Sequence, residues 1–333
     1  MNSNRFITAA NIYYQIYFFL GIVLQSFILL LIRSRSPSSI RSLQLFLYNT
    51  FILQWMMIMT AYFTQHRVLQ NSSSYAIPSN GPCKELGPKS CFGGYHVFMG
   101  IGLCVAFAIS ATILFRLFHL NGLLCSRRRA KFMIFVSNIP GVVAVIVPFT
   151  GSWNFETVRY QTKNEHPLYN LTIYEPYSGF SDTNDIGFVS ITVLLEICAY
   201  GIPITDLVLA RMIFNELKNH KTMSTRMKQQ TSNLVQGLVF QTLVPLFCYI
   251  PIVSSFLYTR ITGETVIITE HLSSIMLSFP GVIDPIISMY FIIPYRRSVR
   301  RILINISSFI MKPKHTTQKI VILPLGVENL AAD

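Results

Sequence analysis

ITAANIYYQIYFFLGIVLQSFILLLI, residues 7–32, runs for 26 residues without a charge and is followed at once by Arg33-Ser34-Arg35. A helix needs about 20 apolar residues to cross roughly 30 Å of hydrocarbon, so this stretch is long enough to span a membrane. It also exceeds the roughly 7–15 residues of a cleavable signal core and shows no small-residue cleavage site, so it is expected to stay in the protein as a signal anchor. Six further runs follow. Ser42–Gln65, Cys91–Phe115, Phe132–Asn154 and Gln229–Thr259 hold no Lys, Arg, Asp or Glu; Ile186–Ala210 holds Glu196 and Asp206, and His271–Tyr295 holds Asp284. The expected fold is therefore an all-α membrane protein: a seven-transmembrane helix bundle within residues 1–311, with a cytoplasmic tail at 312–333.

The whole composition agrees. Of 333 residues, 51% are hydrophobic and 12% charged, about half the charged share of a soluble domain. Mean hydropathy is +0.46. Such numbers argue against a soluble enzyme, and 17 Gly with 16 Pro exclude a collagen-like chain.

The net charge of +13 is a topology signal. With the N-terminus outside, the inner segments hold 20 of the 27 basic residues and three acids, while the outer segments hold seven basic and eight acidic residues. The positive-inside rule favours that orientation. The basic excess is thereby read as contact with anionic inner-leaflet lipid rather than with nucleic acid. Two sequons, at Asn71 and Asn170, fall outside and are candidate glycosylation sites; a third, at Asn305, falls inside and is expected to stay unused. Cys83 and Cys91 also lie outside, in the oxidising compartment, and are expected to form a disulfide. Cys104, Cys125, Cys198 and Cys248 are read as free thiols. The first outer loop, Gln65–Ser90, carries a strong turn signal at Asn80-Gly81-Pro82. The second, Phe155–Asp185, is the longest connection and reads either as functional or as a solvated cap. After the last run, Val299, Leu303, Ile306 and Ile310 make one helical stripe with Arg296, Arg297, Arg300 and Arg301 largely off it, which predicts a short amphipathic helix at the inner interface.

Motifs narrow the reading. Gln241-Thr242-Leu243-Val244-Pro245 sits in the sixth run, and Pro280-Gly281-Val282-Ile283-Asp284-Pro285 in the seventh, leading to Pro294-Tyr295-Arg296-Arg297. The outer loop adds Gln65-His66-Arg67-Val68, Ser74-Tyr75-Ala76 and Asn80-Gly81-Pro82-Cys83-Lys84. Together these resemble the nematode chemoreceptor superfamily, and within it serpentine receptor class delta. The resemblance implies a chemosensory G-protein-coupled receptor of the plasma or ciliary membrane, with a small-molecule ligand and a heterotrimeric G protein as partners. Two departures stand out. Leu114-Phe115-Arg116-Leu117 keeps the arginine that ends the third span of many animal receptors but has Phe115 where an acid would be, and Asp284-Pro285-Ile286-Ile287-Ser288 replaces Asn-Pro-x-x-Tyr. The usual bridge from the third span to the second outer loop cannot form either, because that loop has no cysteine.

Ionisable groups within spans cost about 2.5–3.5 kcal/mol on insertion scales and are worth testing for function. Arg116 and Asp206 are placed near the inner ends of their spans, where they either pair across the bundle as a switch or reach the interface separately. Asp284 beside Pro285 is mechanical or structural, and Arg226 and Lys228 are candidates for G-protein coupling. Met99, Phe188, Glu196, Tyr249, Phe256 and His271 are candidates for an outer ligand pocket, with packing as the alternative for each. Other classes lack their marks. A transporter needs repeats and paired broken helices, a zinc hydrolase needs clustered His and acids, and a retinal protein needs a lysine in the seventh run. No enzyme activity, cofactor or metal is expected.

Overall fold

The computed structural model describes residues 3–35, 41–122, 126–167, 169–219, 223–264 and 267–310. Cys125, the segment 312–333 and the side chains of Arg226, Ile306 and Ile310 lie outside the described residues. Among the described residues, seven helices are long and apolar enough to cross a membrane. They comprise α1 (Ser3–Arg35), α2 (Arg41–Thr64), α3 (Pro88–Leu120), α4 (Arg127–Ile146), α6 (Ile186–Asn219), α7 (Thr225–Thr262) and the broken pair α8 (Ile267–Ser278) and α9 (Pro280–Phe291). A short helix, α5 (Phe155–Glu165), lies between α4 and α6, and α10 (Ile293–Ile310) follows the last span. Pro294 and Tyr295, expected to close the seventh span, belong instead to the first turn of α10.

The helix ends follow from local chemistry. Ser126 and Ser224 cap α4 and α7 by accepting from the amides of Arg129 and Met227, each at 3.4 Å, which meets one of the free donors of a helix start. Pro88 opens α3 at a position where its missing N–H costs nothing. The break at the seventh span is a proline effect. Pro280 has no N–H for the Met276 carbonyl, so the Phe279 amide is shared between the carbonyls of Ile275 at 3.2 Å and Met276 at 3.3 Å. Tyr13 of α1 adds a hydroxyl donor to the Ile275 carbonyl at 3.1 Å.

Sidedness in the bundle is read from exposure. On α4, Phe132, Phe135, Val136, Ile139, Val142, Val143 and Ile146 are all exposed; their three-and-four spacing makes one apolar face suited to lipid. The opposite face of α4 packs on α3 through glycines. A Cβ on Gly141 would stand 2.2 Å from Cys104 Sγ and 2.4 Å from the Gly100 carbonyl, so the two backbones approach as only small residues allow.

Above the end of the bundle that carries the N-terminus, the two long connections fold together rather than remaining loops. β1 (Leu69–Gln70), β2 (Tyr75–Ile77) and β3 (Ser178–Phe180) form an antiparallel sheet in that order. Leu69 faces Ala76 across the first pair, and Tyr75, Ala76 and Ile77 face Phe180, Gly179 and Ser178 across the second. Val158 of α5 and Tyr174 and Tyr177 pack beneath it with Leu69 and Ala76.

The close approach of α3 and α4 is testable. Gly141→Ala is expected to lower the apparent Tm of the detergent-solubilised protein, since overpacking costs about 1–3 kcal/mol. Gly201→Ala, where a Cβ meets nothing within 4 Å, should leave it unchanged or raise it slightly. Equal shifts from both would contradict this packing.

Candidate functional site

A cleft, the central cavity, lies between α3, α6, α7 and α8. Met99, Gly102, Ala106 and Ile109 wall it from α3; Cys198, Ile202 and Asp206 from α6; Thr242, Pro245 and Tyr249 from α7; and Leu277 from α8. Gly102 opens the space, since a Cβ there would meet no atom within 4 Å. The wall is apolar apart from three groups. Tyr249 donates to the Leu277 carbonyl at 3.5 Å, Thr242 donates to Asp206 Oδ2 at 3.1 Å, and Asp206 is 1% exposed.

Of the six residues expected to line a ligand pocket, Met99 and Tyr249 do so here. Four do not. Phe188 is buried under the sheet against Tyr75 and Phe180. Glu196 is half-buried on α6 and does not line the cavity. Phe256 lines a separate shallow space with Val68, Tyr75 and Ser273. His271 stacks on Phe6, with ring centroids 5.5 Å apart, beside α1. Their common level along the bundle was legible, but the face each helix turns inward was not.

Asp206 and Arg116 do not pair. Among the described residues the ion pairs are Arg67–Glu270 and Lys163–Glu175. Asp206 sits at the level of Ile109 and Ser110, and Arg116 lies six residues further along α3, about 9 Å at the helical rise. Arg116, 7% exposed, lines a second cleft at the basic end with Leu120, Thr231, Leu234 and Pro294. Lys228 is half-buried on the first turn of α7 and its neighbours Met227 and Gln230 line that cleft.

Asp284 is fully buried and ties four helices together. Gln54 of α2 donates to its Oδ2. Gln25 of α1 donates to Gln54 Oε1 at 3.1 Å and to the Gly281 carbonyl at 2.7 Å. Gln241 of α7 donates to the Asp284 carbonyl at 3.4 Å and to Ser288 at 3.2 Å. Pro285, also buried, follows directly, so the network grips the seventh span just past its break.

The cap is fixed to the bundle by three devices. Cys83 and Cys91 are joined by a disulfide at the start of α3. Arg67 and Glu270, 4% and 8% exposed, pair at 2.6 Å, and Tyr169 donates to Glu270 at 3.3 Å while its ring lies under the Arg67 guanidinium at 4.9 Å. Third, His66 is buried between Tyr95 and Phe98. Thr64 gives its proton to the Thr60 carbonyl at 2.9 Å, so His66 Nδ1–H donates to Thr64 at 3.1 Å and Nε2 has no partner. Burial holds this imidazole down to about 3 from its usual value near 6.5.

The two outer sequons differ sharply. Asn71 is 3% exposed. Its Nδ2 is spent on Ser74 at 2.7 Å and Thr162 at 2.9 Å, so the expectation of a glycan there is corrected: the folded cap uses Asn71 as a turn-forming residue. Asn170 is exposed, with Thr172 donating to its Oδ1 at 2.6 Å.

Comparison with known proteins fits this geometry. The family model for the "Serpentine type 7TM GPCR chemoreceptor Srd" matches residues 10–301. Serpentine receptor class delta-59 of Caenorhabditis elegans is 42% identical over 298 residues, covering 90% of this chain and 92% of that one. Serpentine receptor class delta-51 of the same organism is 29% identical over 296 residues, covering 87% and 85%. Among solved structures, squid rhodopsin superposes with a TM-score of 0.64 at 13% identity, over 94% of this chain and 89% of that one. At that identity the likeness speaks for the fold.

Two outcomes follow from the cap. The unfolded cap takes up a proton near pH 6.5 and the folded cap not until about 3, so stability is full above that window and is lost as pH falls through it, at about 1.4 kcal/mol per pH unit. Acidification from about pH 7 to about pH 5 should therefore cost the cap about 2 kcal/mol, seen as faster hydrogen exchange in residues 66–80. His66→Phe should reduce that dependence, leaving the share of His166, whose imidazole is also pushed down by burial, and unchanged exchange across this pH range in the wild type would contradict it. In glycan mapping, Asn170→Gln should remove the mass shift; Asn71→Gln should leave it unchanged while lowering Tm.

Proposed function

The chain belongs to the Srd family of serpentine seven-transmembrane G-protein-coupled chemoreceptors, and we propose that it binds a small, largely apolar molecule in the central cavity and signals through a heterotrimeric G protein at its basic end. In this reading the N-terminus and the cap face outward and the Arg116 cleft faces the cytoplasm, as the distribution of basic residues favours.

One observation carries the reading: the same helices wall both spaces. α3 contributes Gly102, Ala106 and Ile109 to the cavity and Arg116 and Leu120 to the cleft; α7 contributes Tyr249, Pro245 and Thr242 to the cavity and Leu234 and Thr231 to the cleft. A molecule that fits one arrangement of these helices better than another shifts the population by its differential affinity, and the cleft changes shape with it. The apolar lining of the cavity, with a few polar groups, suits a small-molecule site. Pro203, Pro245 and Pro251 interrupt the hydrogen-bond ladders of α6 and α7, which makes these two helices the natural moving parts.

The test uses reporter cells and a screen of volatile and soluble compounds. Gly102→Trp should fill the cavity and abolish the response to any agonist found, with surface amount unchanged. Arg116→Ala should keep agonist binding and lose the signal. Full signalling by both variants would end this reading.

A further inference from the structure

We propose that Asp206 is the polar anchor of the cavity and that the ligand it selects is a small apolar amine, held by an ion pair between its ammonium group and Asp206 Oδ1. This rests on the reading that the cavity is the ligand site.

The carboxylate is half satisfied. Oδ2 accepts from Thr242 at 3.1 Å. The Ser110 hydroxyl lies beside the group but donates to the Ala106 carbonyl at 3.3 Å. Oδ1 is buried with no hydrogen-bond partner. Asp206 is 1% exposed and lines the cavity, whose other polar groups are the hydroxyls of Thr242, already bonded to Oδ2, and Tyr249, bonded to the Leu277 carbonyl. Arg116, the one cation on the neighbouring stretch of α3, faces the other cleft.

A buried carboxylate without a counter-charge is costly, on the order of several kcal/mol after relaxation, and an unmade hydrogen bond adds to that. A ligand that brings one cationic donor on an apolar body meets both demands, and the remaining lining rewards the body by burial. Gly102 and Ala106 of α3 and Ala199 of α6 leave the room for it. An alcohol of the same shape supplies a donor but leaves the charge uncompensated, and a ketone supplies neither. The chemistry thus discriminates amines from neutral odorants of equal size.

The experiment is a thermal-shift titration of the purified receptor with benzylamine and n-hexylamine, against benzyl alcohol and hexanol. In the wild type the amines should raise Tm at about tenfold lower concentration than the matched alcohols, the value of a charge-assisted bond. Asp206→Asn keeps the shape, and should abolish that preference while the alcohols are little affected. If Asp206→Asn does not fold, the wild-type comparison decides alone. Alcohols that match or exceed the amines, with their shift abolished by Gly102→Trp, would overturn the amine assignment and leave the cavity as the site. No shift from any of the four would overturn both.

Discussion

A single buried carboxylate, Asp284, holds the bundle together. Its side chain is fully enclosed, in a region where an unpaired ion costs several kcal/mol. The chain answers with one amide on Oδ2, while Oδ1 has no hydrogen-bond partner. Gln54 meets the carboxylate, Gln25 braces Gln54, and Gln241 reaches the backbone of the same turn. Helices α1, α2 and α7 are thereby registered against α9. Because the ladder of the seventh span is already broken at Phe279, this grip fixes the half beyond the break independently of the half above it.

The upper half is fixed from elsewhere. Glu270 of α8 belongs to the cap through Arg67 and Tyr169, and Tyr13 of α1 donates to the Ile275 carbonyl and sits beside Ser278 just before the break. The seventh span thus has two anchors on either side of a proline, one polar and interior, one tied to the cap. The cavity wall crosses this junction at Leu277.

Much of this was legible in the sequence. Long apolar runs with at most two charges marked all seven spans, because the bilayer sets one length for each. Cys83 and Cys91 were picked out by compartment. The cap was hidden: its strands are two or three residues long, too short for an alternating pattern, and β2 pairs with β3 from a loop about a hundred residues away. Asn71 carried a sequon, and nothing in three residues tells a glycan acceptor from a buried turn. Asp206 was expected near the inner end of its span as a possible partner of Arg116; its hydrogen-bond partner is Thr242, on a helix the charge pattern could not single out. Phe188, Phe256 and His271 lie off the central cavity because depth along a span is countable while its rotation is set by packing.

The most direct measurement of the central constraint is the stability of Gln54→Leu, Asp284→Leu and the double variant by thermal unfolding in detergent. If the pair is the bundle's interior clamp, Gln54→Leu strands a buried carboxylate and lowers Tm strongly, and adding Asp284→Leu recovers a large part of that loss. Losses that simply add, or a Gln54→Leu variant as stable as the wild type, would contradict the account.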